Sequence, residues 1–170
     1  MLRTAHIIGI ALFLLSHAML LFSKQHDPIN ASVMMLACIL MAVGMLRYFS
    51  APYAPLSNRF GIALWVTGFF LTAFMHFDIM ALGITPAFMH QSKLLWTLSH
   101  IALVAAAICF AAWLYIDDRG NFRLSIVALI GILIFALAMQ FSFNASLNAT
   151  AALLFATAST WYAIYKIEKY

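Results

Sequence analysis

Six long apolar runs, separated by short polar connectors, account for most of this 170-residue chain. The runs cover residues 6–22, 33–49, 60–80, 94–116, 124–143 and 151–165. About 20 apolar residues suffice for a helix to cross the hydrocarbon core of a bilayer, and a helix satisfies its backbone hydrogen bonds internally. A β-barrel would need shorter segments of alternating polarity. The sequence therefore predicts an all-α membrane protein with six transmembrane helices.

The composition and the connectors indicate one compact domain. Hydrophobic residues make up 66% of the chain and charged residues only 8%, whereas soluble domains have about 25% charged residues. No connector is longer than about a dozen residues, which makes consecutive helices antiparallel neighbours. We therefore expect residues 1–170 to form a single bundle embedded in the membrane.

The distribution of positive charge predicts the orientation of the bundle. Loops rich in Lys and Arg remain cytoplasmic. With the N-terminus inside, the outer side has Lys24 and Lys93, and the other seven of the nine basic residues lie inside: Arg3, Arg47, Arg59, Arg119, Arg123, Lys166 and Lys169. Both termini are thus expected in the cytoplasm. The net charge of +4 is explained by the basic residues at the cytoplasmic helix ends. Because no basic patch lies apart from the helix ends, no nucleic-acid partner is predicted.

Most histidines are predicted on the outer side of the bundle. An ionisable residue within a span costs about 2.5–3.5 kcal/mol and normally faces the bundle interior or a wet cavity. The outer half of three predicted helices places four such side chains at similar depth: His17, His76, Asp78 and His100. The outer connectors are predicted to add an entrance formed by His26, Asp27 and His90. The sequence thus predicts a polar pocket near the outer leaflet.

The third apolar run provides a specific argument for one of these side chains. Gly68, Thr72 and His76 follow each other at intervals of four residues, and small residues at this spacing are typical of close helix contacts. His76 is therefore expected to face a neighbouring helix. Asp78 projects about 200° away around the helix, so it needs a different partner.

The histidines allow two interpretations. Neutral imidazole is a ligand of zinc, copper and haem iron, so His17, His76 and His100 could supply a three-nitrogen metal site or two axial ligands of a b-type haem. Alternatively, each imidazole hydrogen-bonds a neighbouring helix or handles protons. The sequence leaves both interpretations open.

A ladder of sulfur atoms is predicted along the second helix. Its residues follow at i, i+4, i+7 and i+11, and they are Met34, Cys38, Met41 and Met45. Thioether and thiol groups are the ligands that Cu(I) prefers. Methionine is also a common flexible filler of apolar cores, which is the simpler interpretation of this soft-ligand stripe.

These features suggest three classes of function. The leading hypothesis is a protein whose outer pocket binds a transition metal or b-type haem for transfer or redox chemistry. The alternatives are a small-solute or proton-coupled transporter, or substrate-capturing subunit, and a non-catalytic subunit that docks against partner subunits in the lipid bilayer. An enzyme comes last, because the sequence has no HExxH, GxSxG or GxxxxGK motif. The short loops favour a bacterial inner membrane.

Overall fold

The part of the chain that the computed structural model describes is entirely helical. It comprises residues 2–22, 27–49, 56–82 and 86–117, together with Ile130 and Ile134. Four helices lie in these ranges: α1 (Leu2–Met19), α2 (Pro28–Phe49), α3 (Leu56–Leu82) and α4 (Pro86–Asp117). The first four predicted spans coincide with these helices. The fifth and sixth, residues 124–143 and 151–165, lie outside the described ranges apart from the two isoleucines.

Two of the helices are long and apolar enough to cross a membrane. The qualifying segments are Pro28–Leu46 in α2, with 19 residues, and Arg59–Ala81 in α3, with 23 residues. The apolar segments of α1 and α4 are shorter, Thr4–Met19 and Lys93–Ala106.

The helices begin earlier than the apolar runs. α2 starts at Pro28 because proline fits the first helical position, and the Asp27 carboxylate accepts a hydrogen bond of 3.1 Å from the backbone N–H of Ile29. α4 likewise starts at Pro86, eight residues before the run at 94–116. His90, expected on a connector, therefore lies within α4. Hydropathy locates the apolar part of a helix, whereas proline and capping side chains set its first residue.

Consecutive helices pack against each other, α1 on α2, α2 on α3 and α3 on α4. Side chains from all four helices form one apolar core. The rings of Phe13 and Phe69 meet edge to face with their centroids 6.4 Å apart, which connects α1 to α3 through this core. Trp65 extends the aromatic contact, with its ring 5.1 Å from that of Phe69.

Glycines allow the closest helix contacts. At the crossing of α1 and α2, a Cβ on Gly44 would lie only 2.5 Å from Cβ of His6, and a Cβ on Gly9 would lie 2.8 Å from Cγ of Met41. Between α3 and α4, a Cβ on Gly68 would lie 2.7 Å from Cγ of Leu103. The close contact expected for the stripe containing Gly68 is therefore confirmed, and its partner is α4.

Replacing Gly44 by alanine should destabilise the crossing of α1 and α2. The new methyl group would overlap the Cα and N of His6 as well as its Cβ, so α1 would have to shift. Overpacking of this kind costs about 1–3 kcal/mol. We expect a lower midpoint of thermal unfolding in detergent micelles. Ala63→Val, on the exposed face of α3, is the control and should leave the midpoint unchanged; equal midpoints for Gly44→Ala and wild type would contradict the close contact.

Candidate functional site

Four histidine side chains lie in the described helices. His6, His17 and His100 are buried, and His76 is half-buried. Burial of a polar side chain in apolar surroundings is costly unless it forms hydrogen bonds. The hydrogen bonds of these imidazoles therefore decide how each ring is oriented.

The three histidines of the predicted pocket share one hydrogen-bonding pattern. Nδ1 of each ring lies within 2.9 Å of the backbone carbonyl oxygen four residues earlier: 2.9 Å for His17, 2.8 Å for His76 and 2.7 Å for His100. A carbonyl oxygen can only accept, so Nδ1 donates its proton in every case. In the neutral ring, Nε2 then has the lone pair. Each helix thus fixes the tautomer and orientation of its own imidazole.

His17 of α1 and His76 of α3 lie within electrostatic range of each other. The ring of Phe13 also contacts His17, with the centroids 4.4 Å apart. Phe13 in turn meets Phe69, so an aromatic contact connects the surroundings of His17 to α3.

A second polar contact borders His17. Ser16 Oγ donates a hydrogen bond of 2.5 Å to Oδ1 of Asn30, and both side chains are buried. This bond joins α1 to the first turn of α2. The end of the bundle that contains His17 therefore also contains a buried hydroxyl and a buried amide.

His100 has a separate set of contacts on α4. Its ring packs against Trp96 with a centroid distance of 4.3 Å, and its Nδ1 lies 3.3 Å from Ser99 Oγ. Asp78 is half-buried on α3. Within the described ranges, no three His, Cys, Asp or Glu side chains gather closely enough to hold a metal ion. The pocket of His17, His76, Asp78 and His100 therefore stays a prediction.

The predicted entrance is described only at Asp27. Its carboxylate caps α2, as noted above, and the side chain is half-buried. His26 lies outside the described residues, and so does the side chain of His90, whose backbone belongs to α4.

The predicted sulfur ladder lies entirely within the core. All four side chains are buried, and they belong to the same apolar cluster as Phe13 and Phe69. The backbone carbonyl of Met41 additionally accepts a hydrogen bond of 3.3 Å from Nδ1 of His6. The ladder is therefore in contact with an imidazole of α1.

His6 is the buried histidine that the sequence argument left out of the pocket. The sequence contained a usable signal, because Ile10, Phe13 and His17 follow His6 at i+4, i+7 and i+11 and all four are buried on one face of α1. The position of His6 at the start of the first apolar run, next to polar residues, obscured this periodicity.

The imidazoles of His17 and His76 can accept hydrogen bonds, take up protons or ligate a metal through Nε2. No protein-family model, curated protein or solved structure matches this chain.

The hydrogen bond between Ser16 and Asn30 should couple the two positions energetically. Double-mutant cycles for hydrogen bonds between membrane helices average about 0.6 kcal/mol and reach about 1.7 kcal/mol. We expect a coupling energy in this range from unfolding of Ser16→Ala, Asn30→Ala and the double variant in mixed micelles. Ser32, which donates to the carbonyl of Pro28 within its own helix, provides the control. Ser32→Ala should show no coupling to Ser16→Ala, and a null result for the Ser16 and Asn30 pair would contradict the contact.

Proposed function

We propose that this chain is a multi-pass membrane protein that binds a transition metal or a b-type haem through His17 and His76. The observation that carries this proposal is the shared orientation of the two rings. Each Nδ1 donates to a backbone carbonyl, and each neutral ring therefore has its lone pair on Nε2. Metal-ligating histidines are typically held in this way, with the second nitrogen hydrogen-bonded to a carbonyl or carboxylate.

A pair of imidazoles suits a haem better than a bare metal ion. Haem iron needs only axial ligands from the protein, since the porphyrin supplies the other four nitrogens. The aromatic ring of Phe13, which contacts His17, would offer apolar surface to such a group. Burial and the carbonyl hydrogen bonds would tune the electronic properties of the iron.

The exposed apolar surface supports a membrane location. Large apolar side chains are exposed along all four helices, among them Ile7, Leu36, Phe70, Phe74 and Ile101. Soluble proteins rarely expose contiguous apolar patches of this kind, whereas lipid chains cover them readily. We infer that the lipid bilayer surrounds the described helices.

We further infer a six-helix topology in a bacterial inner membrane. The apolar runs 124–143 and 151–165 would add the fifth and sixth spans, which would place both termini in the cytoplasm. The ends of α1 and α3 that contain His17 and His76 would then lie toward the outer leaflet. A ligand could reach the pair from the periplasmic side.

A proton-coupled solute transporter is the second candidate. It is favoured by the buried Ser16 and Asn30 beside His17, because a hydroxyl and an amide are hydrogen-bonding groups suited to a polar solute. In this function, the two imidazoles would exchange protons rather than hold a metal.

Ligand binding separates the candidates. We expect the purified full-length protein to show a Soret band after incubation with haemin, or stoichiometric zinc or iron by elemental analysis. His17→Gln and His76→Gln should each abolish this signal because each removes one Nε2 ligand. His100→Gln is the matched control, since its buried imidazole has the same carbonyl hydrogen bond but different neighbours.

A wild-type protein that stays colourless and metal-free after incubation with haemin, zinc and iron would overturn the proposal. Solute uptake into metal-free proteoliposomes that requires both His17 and His76 would instead establish the transporter.

The topology can be tested with single cysteines. In a background with Cys38→Ala and Cys109→Ala, a cysteine replacing Asp27 should react with a membrane-impermeant maleimide added to intact cells. A cysteine replacing Arg59 should react only after the membrane is opened. The reverse pattern would contradict the proposed orientation.

A further inference from the structure

His6 lies far from the imidazole pair. It precedes His17 by 11 positions on α1, which corresponds to about 16 Å along the helix axis. Its side chain is only 1% exposed, and its Nε2 is buried with no hydrogen-bond partner among the described residues. Buried polar atoms are almost always paired, so this nitrogen requires an explanation. The function proposed for His17 and His76 does not provide one.

The packing of α1 on α2 places His6 against Gly44, which lies between Met41 and Met45 in the sequence of α2. Its Cβ lies against Gly44, and its Nδ1 donates to the carbonyl of Met41. On the surface of a helix, residues at this spacing surround a hole into which a side chain from a neighbouring helix can insert. In α2, three residues that surround such a hole are Met41, Gly44 and Met45. His6 fills this hole, with Met41 on one side of Gly44 and Met45 on the other.

Both methionine side chains are held in the interior. Met41 is 0% and Met45 1% exposed, and Cγ of Met41 lies over Gly9 of α1. Thioether sulfur is polarizable and is a ligand preferred by soft metal ions. The crossing of α1 and α2 thus contains one buried imidazole and two buried thioether side chains.

The tautomer of His6 matches a role as a ligand. Because Nδ1 donates to the Met41 carbonyl, the neutral ring has its lone pair on Nε2, and a metal ion can bind there without displacing a proton. Ligation would increase the positive charge of the ring and so strengthen its hydrogen bond to the carbonyl. A histidine that only tied α1 to α2 would need Nδ1 alone.

We propose that His6 Nε2 and the sulfur atoms of Met41 and Met45 form a binding site for Cu(I). A neutral nitrogen with two thioethers suits a soft monovalent cation, whereas harder divalent cations such as Mg²⁺ and Ca²⁺ prefer oxygen ligands. The site lies at the end of the bundle opposite to His17 and shares no residue with the pair of His17 and His76. A test of this site is therefore independent of a test of the function proposed above.

The test is an anaerobic titration of the full-length protein in detergent with Cu(I), in competition with a chromogenic Cu(I) chelator. We expect one Cu(I) per chain at this site. His6→Asn retains a donor for the Met41 carbonyl but removes Nε2, and Met41→Leu with Met45→Leu conserves the side-chain volumes but removes both sulfurs. Each change should weaken binding by at least about tenfold, since even outer-shell partners of a metal are worth about 10–100-fold in affinity.

Two controls separate this site from other ligands. Met34→Leu makes the same substitution in the same ladder, about 10 Å along α2 from Met41, and should leave the affinity unchanged. The variant with both His17→Gln and His76→Gln should also bind Cu(I) like wild type, even where it has lost haem. X-ray absorption of the loaded protein should show nitrogen and sulfur neighbours of copper.

The proposal is overturned if wild-type protein binds no Cu(I). It is also overturned if His6→Asn and the variant lacking both sulfurs retain wild-type affinity, or if the copper has no sulfur neighbours. If His6→Asn does not fold, the variant with Met41→Leu and Met45→Leu decides the test, because its substitutions preserve the packing.

Discussion

Hydrogen bonds from buried imidazoles to backbone carbonyls determine the chemistry of this bundle. In apolar surroundings a polar side chain needs a hydrogen-bond partner within the protein, and a carbonyl oxygen can only accept a hydrogen bond. His17 and His76 therefore turn their Nδ1 atoms toward their own helices, and His6 turns its Nδ1 toward the neighbouring α2. In each neutral ring the lone pair is thereby assigned to Nε2, the atom on which both proposed sites depend.

Close packing at glycines determines which helices can share these nitrogens. Gly44 and Gly9 let the backbone of α1 approach α2, so that His6 lies next to the sulfur ladder. Toward the other end of α1, the aromatic contact between Phe13 and Phe69 connects α1 to α3. The same helix α1 thus contributes an imidazole to two separate environments, His6 next to α2 and His17 next to Phe13.

The two environments differ in what each could bind. The end with His17 also contains Ser16 and Asn30, which are hydrogen-bonding groups of the kind that a polar ligand or a proton path requires. The end with His6 offers thioethers of Met41 and Met45, which favour a soft ion and cannot donate hydrogen bonds. A division of this kind is compatible with a membrane protein that handles more than one ligand or one ligand at two depths.

The sequence by itself determined the all-helical character of the described part and the positions of its four apolar helices, because hydropathy and backbone hydrogen bonding are local properties. It also predicted the contact at Gly68, since the spacing of small residues follows helix periodicity. The helices start at Pro28 and Pro86 because of helix capping and proline geometry. The mean hydropathy of a segment contains no information about either. Only the tertiary structure decided that Phe13 meets Phe69 and that His6 lies beside Met41, because contacts between helices depend on their rotation and crossing, which a single helical pattern does not specify.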